Sequence, residues 1–173
     1  MQGDDFARGF RAIYDHAVTL YARGQRGAGT FFDPAQLNLL AASGLTAQHV
    51  YDYAEDDCHG GEPGYEQALA IELVRRDYFL NVQGGRPSLV VLDEAELPAK
   101  SAAVEGIEWL PRLMPKARAK LRGELPPSLM YCCGGDRRFF KTHGILPAEF
   151  LAYLASHEGN EQAVIDWVVA RKP

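Results

Sequence analysis

Three basic side chains, Arg112, Lys116 and Lys120, recur every four residues, which puts them on one face of a helix. Trp109 lies beside them, and Arg137, Arg138 and Lys141 open the next helical stretch. Guanidinium groups grip carboxylates and phosphates through paired hydrogen bonds, so this constellation could form a pocket for a small anion. The competing reading, a solvated face that balances acidic residues elsewhere, is the one the sequence favours. A second candidate is the thiol pair Cys132 and Cys133, which leads into Gly134, Gly135, Asp136 and Arg137. A thiol at a helix start beside arginines is a setting in which cysteine becomes nucleophilic, and His143 is a conceivable base. No oxyanion loop and no group to orient the histidine can be identified, so structural cysteines are the favoured reading. The run Glu55, Asp56, Asp57, Cys58 and His59 is rich in ligand types. Adjacent residues seldom converge on one ion, and no C-x-x-C or H-x-x-x-H pairing is present to anchor zinc. It reads as a charged helix end, and neither a metal nor a cofactor is expected. His16 and His49 stand alone on helices, as packing or surface residues. The glycine-rich GQRGAG and GGRP follow helices and lack the spacing of phosphate loops.

The elements that must position these residues are helical. Phe6, Phe10, Ile13, Ala17, Leu20 and Tyr21 recur at helical spacing, with Asp4 or Asp5 as a cap and RGQRGAG as the stop. Asp33 and Pro34 make an N-cap and first-turn pair, and Gly44 ends that helix. Thr46 caps the next, with Leu45, Val50, Tyr53 and Ala54 buried. YEQALAIELVRRDYFLNVQ is then expected as the longest helix of the first half. Residues 84–98, GGRPSLVVLDEAELP, differ in kind and read as a surface connector, with a lone strand over SLVVL as the alternative. Helical periodicity resumes through Leu110, Leu113, Ala117 and Leu121. Pro115 predicts that this helix starts near Met114 or kinks there. ELPPSLMYCCGG reads as a loop, DRRFFKTHG and ILPAEFLAYLASH as helices, and NEQAVIDWVVARK as a last helix capped by Asn160.

The fold class expected is all-α, with two pseudo-repeated units of about four helices each, sharing one core and joined by a short extended connector. The domain reading is 1–84 for the first unit, 85–102 for the connector and 103–173 for the second, within one compact globule. Placed 100 residues apart, Leu110, Leu113, Ala117 and Leu121 meet Phe10, Ile13, Ala17 and Tyr21, and Gly144 meets Gly44. Past the turn CHGGEPG the offset becomes 95, and Glu161, Gln162 and Ala163 meet Glu66, Gln67 and Ala68.

With 47% hydrophobic and 24% charged residues, the 173-residue chain is composed like a folded domain rather than a disordered one. Residues 1–84 carry 12 acidic and 6 basic side chains, whereas residues 103–173 carry 8 and 10. That distribution argues against a nucleic-acid binder, which shows a strongly basic domain. The start, MQGDDFARGF, does not read as a signal peptide, and no apolar run suits a membrane span. Three cysteines form no disulfide framework, so a cytoplasmic location is expected.

The segments WLPRLMPKARAKLRG (109–123), CGGDRRFF (133–140) and GILPAEFLAYL (144–154) resemble a bacterial family known as a domain of unknown function, number 5069. The resemblance covers about 65 residues and rests on Trp109, Leu110, Pro111, Arg112, Cys133, Asp136 and Arg137. Pro115 and the two glycines after Cys133 depart from the family's usual pattern, which bears on the geometry of that loop. The resemblance implies a bacterial origin and a helical fold, and it brings no activity.

No motif fixes a reaction or a substrate. The favoured expectation is a non-catalytic helical module that binds another protein or forms a homodimer through its aromatic residues. The alternative is a binder of a small anionic ligand, or an enzyme, that uses Trp109, Arg112, Lys116, Asp136 and Arg137 with Cys133 nearby.

Overall fold

In a computed structural model, which describes residues 3–171, the chain forms α-helices and one two-stranded hairpin. Residues 1–87 and 88–173 make two compact units. The first holds α1 (Gly3–Ala22), α2 (Pro34–Ala42), α3 (Ala47–Gly60) and α4 (Tyr65–Asn81). The apolar stripe of α1 is buried: Phe6, Phe10 and Ala17 are wholly inaccessible, and Ile13 and Tyr21 nearly so. This face packs on α3 and also meets α2 and α4, and each large side chain it buries stabilises the unit by roughly 1.5–3 kcal/mol. α1 is already helical at Gly3, so Asp5 is no cap; it pairs instead with Arg8 at 3.0 Å. The side chain of Asp4 lies outside the described residues.

Asp33 caps α2 through a reciprocal pair of bonds with Gln36, at 2.9 and 3.0 Å, and Pro34 occupies the first turn. Gly44 follows with φ of 74°, and a Cβ there would stand 2.4 Å from Cγ of Phe79, so the turn and the packing both demand glycine. Thr46 caps α3, which buries Val50, Tyr53 and Ala54. α4, at 17 residues, is shorter than the 20-residue α1, so it is not the longest helix of this half. It carries two charged groups into the interior, Glu72 and Arg75, and the Tyr53 hydroxyl donates to Glu72 at 2.8 Å.

The second unit begins with the exposed stretch Leu89, Val90 and Val91, which forms no strand; Leu92 donates its amide to the Glu124 carbonyl at 2.8 Å. A 3-10 turn spans Glu94–Glu96. An unanticipated hairpin follows, β1 (Ala103–Val104) against β2 (Ile107–Glu108), with Val104 opposite Ile107. Its two turn residues, Glu105 and Gly106, both have positive φ, 50° and 73°, as tight hairpin turns require. Then come α5 (Leu110–Arg122), α6 (Gly134–His143), α7 (Pro147–Ser156) and α8 (Glu161–Val169). α5 starts at Leu110, with Pro111 in its first turn, and continues through Pro115. Of the two expectations at Pro115, a start near Met114 is therefore wrong: Leu110, Leu113, Met114, Ala117 and Leu121 are buried and hold the helix together across the backbone bond that the proline removes. α5 packs on α7. Asn160 caps α8 by accepting from the Ala163 amide.

The second and third helices of the two units begin at Pro34 and Gly134, and at Ala47 and Pro147. Among the described residues no helix is long and apolar enough to cross a membrane.

Two phenols tie α1 to α3. The Tyr14 hydroxyl donates to Asp57 at 3.0 Å and the Tyr21 hydroxyl to Glu55 at 2.7 Å. The bond to Glu55, followed by burial, lifts Tyr21 from the usual 10.0 to about 12, and burial with the Asp57 charge raises Tyr14. A raised value means the folded state prefers the neutral phenol, so this stabilisation is complete below the ordinary tyrosine value and is lost above it. Alkaline unfolding followed by circular dichroism is expected to show a loss of stability from about pH 10 upward. That loss becomes shallower in Tyr21→Phe; an unchanged slope would contradict the assignment.

Candidate functional site

The site gathers around one carboxylate. Asp136 sits in the first turn of α6, where the helix dipole favours negative charge, and its side chain is wholly buried. Oδ2 accepts from Lys116 Nζ at 2.7 Å and from the Cys132 amide at 2.8 Å, while Oδ1 accepts from the Trp109 indole at 3.0 Å. Lys116 comes from the middle of α5 and is only 3% exposed. A buried carboxylate is tolerated where an opposite charge and further donors replace water, and all three are present here.

Two of the three donor residues have left-handed backbones. Trp109, the N-cap of α5, has φ of 72° and Cys132 has φ of 71°. For a residue with a side chain such a conformation costs about 1–2 kcal/mol, and the surroundings hold each in place. The Trp109 amide donates to Ala102 at 3.1 Å, its carbonyl accepts from Leu113 at 2.9 Å, and its indole is held by Asp136. Cys132 gives its amide to Asp136, and its carbonyl accepts from Arg137 at 2.6 Å. The indole lies directly over Gly135, where a Cβ would stand 2.4 Å from the ring, so that glycine is a packing requirement.

The three thiols differ. Cys132 is buried, and burial pushes it up to about 12, which keeps it neutral. Cys58, in α3, is also raised, by burial first. Cys133 is half-buried, forms the N-cap of α6 and stands 3.2 Å from Lys116 Nζ. It lines a cavity of about 440 Å³ together with Glu94, Lys100, Arg112, Lys116 and Arg138, among others. A second hollow of about 460 Å³ shares Lys100, Trp109, Gly135 and Arg138 with it.

Of the residues expected to bind a ligand, Trp109, Arg112, Lys116 and Cys133 line this cavity. Asp136 lies behind Lys116, and Arg137 turns to the Cys132 carbonyl instead. The stripe is no solvated face: Lys116 and Lys120 are each 3% exposed, and the Arg112 side chain is 12% exposed. Arg112 donates to the Pro98 carbonyl at 2.9 Å and approaches Glu94 at 3.5 Å, which fastens the 94–98 loop to the cavity wall. Arg138 belonged to the anticipated basic constellation, whereas Lys100, Glu94 and Gly135 were not among the expected ligand-binding residues. Gly135 and Arg138 are three apart and share a helix face, a spacing that points to Arg138 rather than Arg137. The acidic run of α3 serves packing, since Glu55 and Asp57 receive the two tyrosine hydroxyls.

Removing one partner of the Lys116–Asp136 pair strands a buried charge. Asp136→Leu is expected to destabilise the protein by about 3–5 kcal/mol in denaturant titration. Lys116→Met with Asp136→Leu is expected to recover much of that loss, because two apolar groups leave nothing uncompensated. A double variant as unstable as the sum of the two single ones would show that the pair does not act as a unit.

No curated protein and no solved structure matches the chain. The match that is found takes in every lining residue named above except Glu94, and the family whose model the chain matches, over residues 96–173, is the Domain of unknown function (DUF5069).

Proposed function

We propose that the 88–173 unit binds a small anion, a phosphate or carboxylate, in the cavity that holds Cys133. The observation that carries this reading is the charge that remains after internal pairing. Lys116 is matched by Asp136 and Arg112 by Glu94. Among the described residues no carboxylate pairs with Lys100 or Arg138, and both line the cavity. Two cations facing a partly enclosed space raise the local concentration of anions and offer bidentate and point-charge contacts. A bound anion would lie beside the Cys133 thiol. We further propose that the protein is bacterial and cytoplasmic, which its family resemblance and three unbridged cysteines favour, and that its two helical quartets derive from one ancestral unit.

The test is a thermal-shift titration with inorganic phosphate and with acetate, read beside the rate at which iodoacetamide labels Cys133. Stabilisation is expected to reach about 2.7 kcal/mol at a hundredfold excess over Kd, with slower labelling, and both effects are expected to vanish in Lys100→Ala/Arg138→Ala. Sodium chloride at matched ionic strength should not reproduce them. Equal stabilisation of the double variant would sink the site.

A second reading keeps the interaction module. Leu89, Val90 and Val91 are 97%, 61% and 66% exposed on an extended segment, an apolar run of the sort that docks on another chain. A second copy of the protein is the partner proposed. Light scattering is expected to find a dimer that Leu89→Asp/Val91→Asp converts to monomer; a monomer at every concentration would dismiss it.

A further inference from the structure

The Cys133 cavity adjoins a second hollow. Lys100, Trp109, Gly135 and Arg138 belong to its wall and also to the wall of the 460 Å³ hollow. The two hollows differ in chemistry. The first has the thiol, Lys116, Arg112 and Glu94. The second is walled by Ile107 and Phe139, which are 2% and 5% exposed, with Thr142, His143 and Glu108 around them. The two cations without a carboxylate partner therefore stand where a polar compartment meets one with an apolar wall. Each compartment falls within the roughly 300–1,000 Å³ usual for small-ligand sites.

Three features of the backbone maintain this junction. The β1–β2 hairpin delivers Ile107 two residues ahead of Trp109. The left-handed Trp109 lays its indole on Gly135, and both residues belong to both walls. Arg138 and Thr142 follow Gly135 at three and seven residues along α6, so they continue the same face past the indole.

From this juxtaposition we infer that the ligand is an amphipathic anion. Its phosphate or carboxylate head lies between Lys100 and Arg138, and a compact aromatic or branched apolar body occupies the hollow of Ile107, Trp109 and Phe139. The inference rests on the anion site proposed above and names the class of molecule that site takes. A head alone would leave the apolar wall wet, whereas a body of ring size removes apolar surface from water on both partners. The Trp109 and Phe139 rings favour an aryl group, which can stack or meet them edge-on.

Calorimetric titration with a graded series tests this without any variant: inorganic phosphate, methyl phosphate and phenyl phosphate at one pH and ionic strength. Affinity is expected to rise along the series, with phenyl phosphate at least tenfold tighter than inorganic phosphate. Thr142→Trp, on the exposed side of α6, fills the second hollow and is expected to erase that preference, so that phenyl phosphate binds no tighter than inorganic phosphate. Equal affinities across the series, or a phenyl preference that survives Thr142→Trp in a protein with unaltered circular dichroism, would overturn the amphipathic ligand while the anion site stands. Absence of binding by all three phosphates would overturn both readings. Binding of phenyl phosphate alone, lost in Thr142→Trp, would support the apolar body as the dominant contact.

Discussion

The Asp136 carboxylate is the constraint on which the rest of the second unit's site depends. A full negative charge in a dry interior is admissible only with several donors, and each donor it recruits fixes a different part of the chain. Lys116 ties it to the middle of α5, the Trp109 indole to the hairpin and the start of α5, and the Cys132 amide to the loop before α6. The two left-handed residues, Trp109 and Cys132, are held against their own preference by these same bonds. Strain of this kind persists where surroundings over-determine it, and such places cluster at binding sites. One carboxylate thus sets the position of the thiol, the indole and the ammonium together.

The electrostatics divide into two populations. One is internal and matched: Lys116 with Asp136, and Arg112 with Glu94 and the Pro98 carbonyl. These charges shape the cavity, and their interaction with a ligand is discounted by the partner each already has. Lys100 and Arg138 form the other population, at the rim. The arrangement separates the charges that build the wall from two cations that pair with no carboxylate among the described residues. It also explains why Arg137 and Arg138, adjacent in sequence, part company: successive helix residues point about 100° apart, so one guanidinium reaches the Cys132 carbonyl while its neighbour reaches the cavity.

Much of the scaffold was legible because its signals are local. The stripe of α1, the Asp33–Gln36 box with Pro34 and the Asn160 cap are written within a turn or two of the chain. The hairpin at 103–108 was not legible, since two-residue strands carry no alternation to read. Pro115 suggested a start near Met114 that the helix does not have, because a rule about local backbone met a helix held by long-range packing. For the site, the spacing of Arg112, Lys116 and Lys120 showed a shared face but not that the face turns inward. That depends on Asp136, 20 residues beyond Lys116. Lys100 had no periodic pattern to mark it, because it lies in an irregular loop.

Trp109 has a consequence of its own. It lines both hollows, its indole nitrogen donates to a carboxylate, and it rests on a bare glycine. The other tryptophan, Trp167, stacks on Tyr153 at 4.5 Å and carries the Arg171 guanidinium at 4.0 Å, and it lines neither hollow. A molecule entering either hollow would therefore alter the surroundings of one indole and leave those of the other as they are, which intrinsic fluorescence of the unlabelled protein would register.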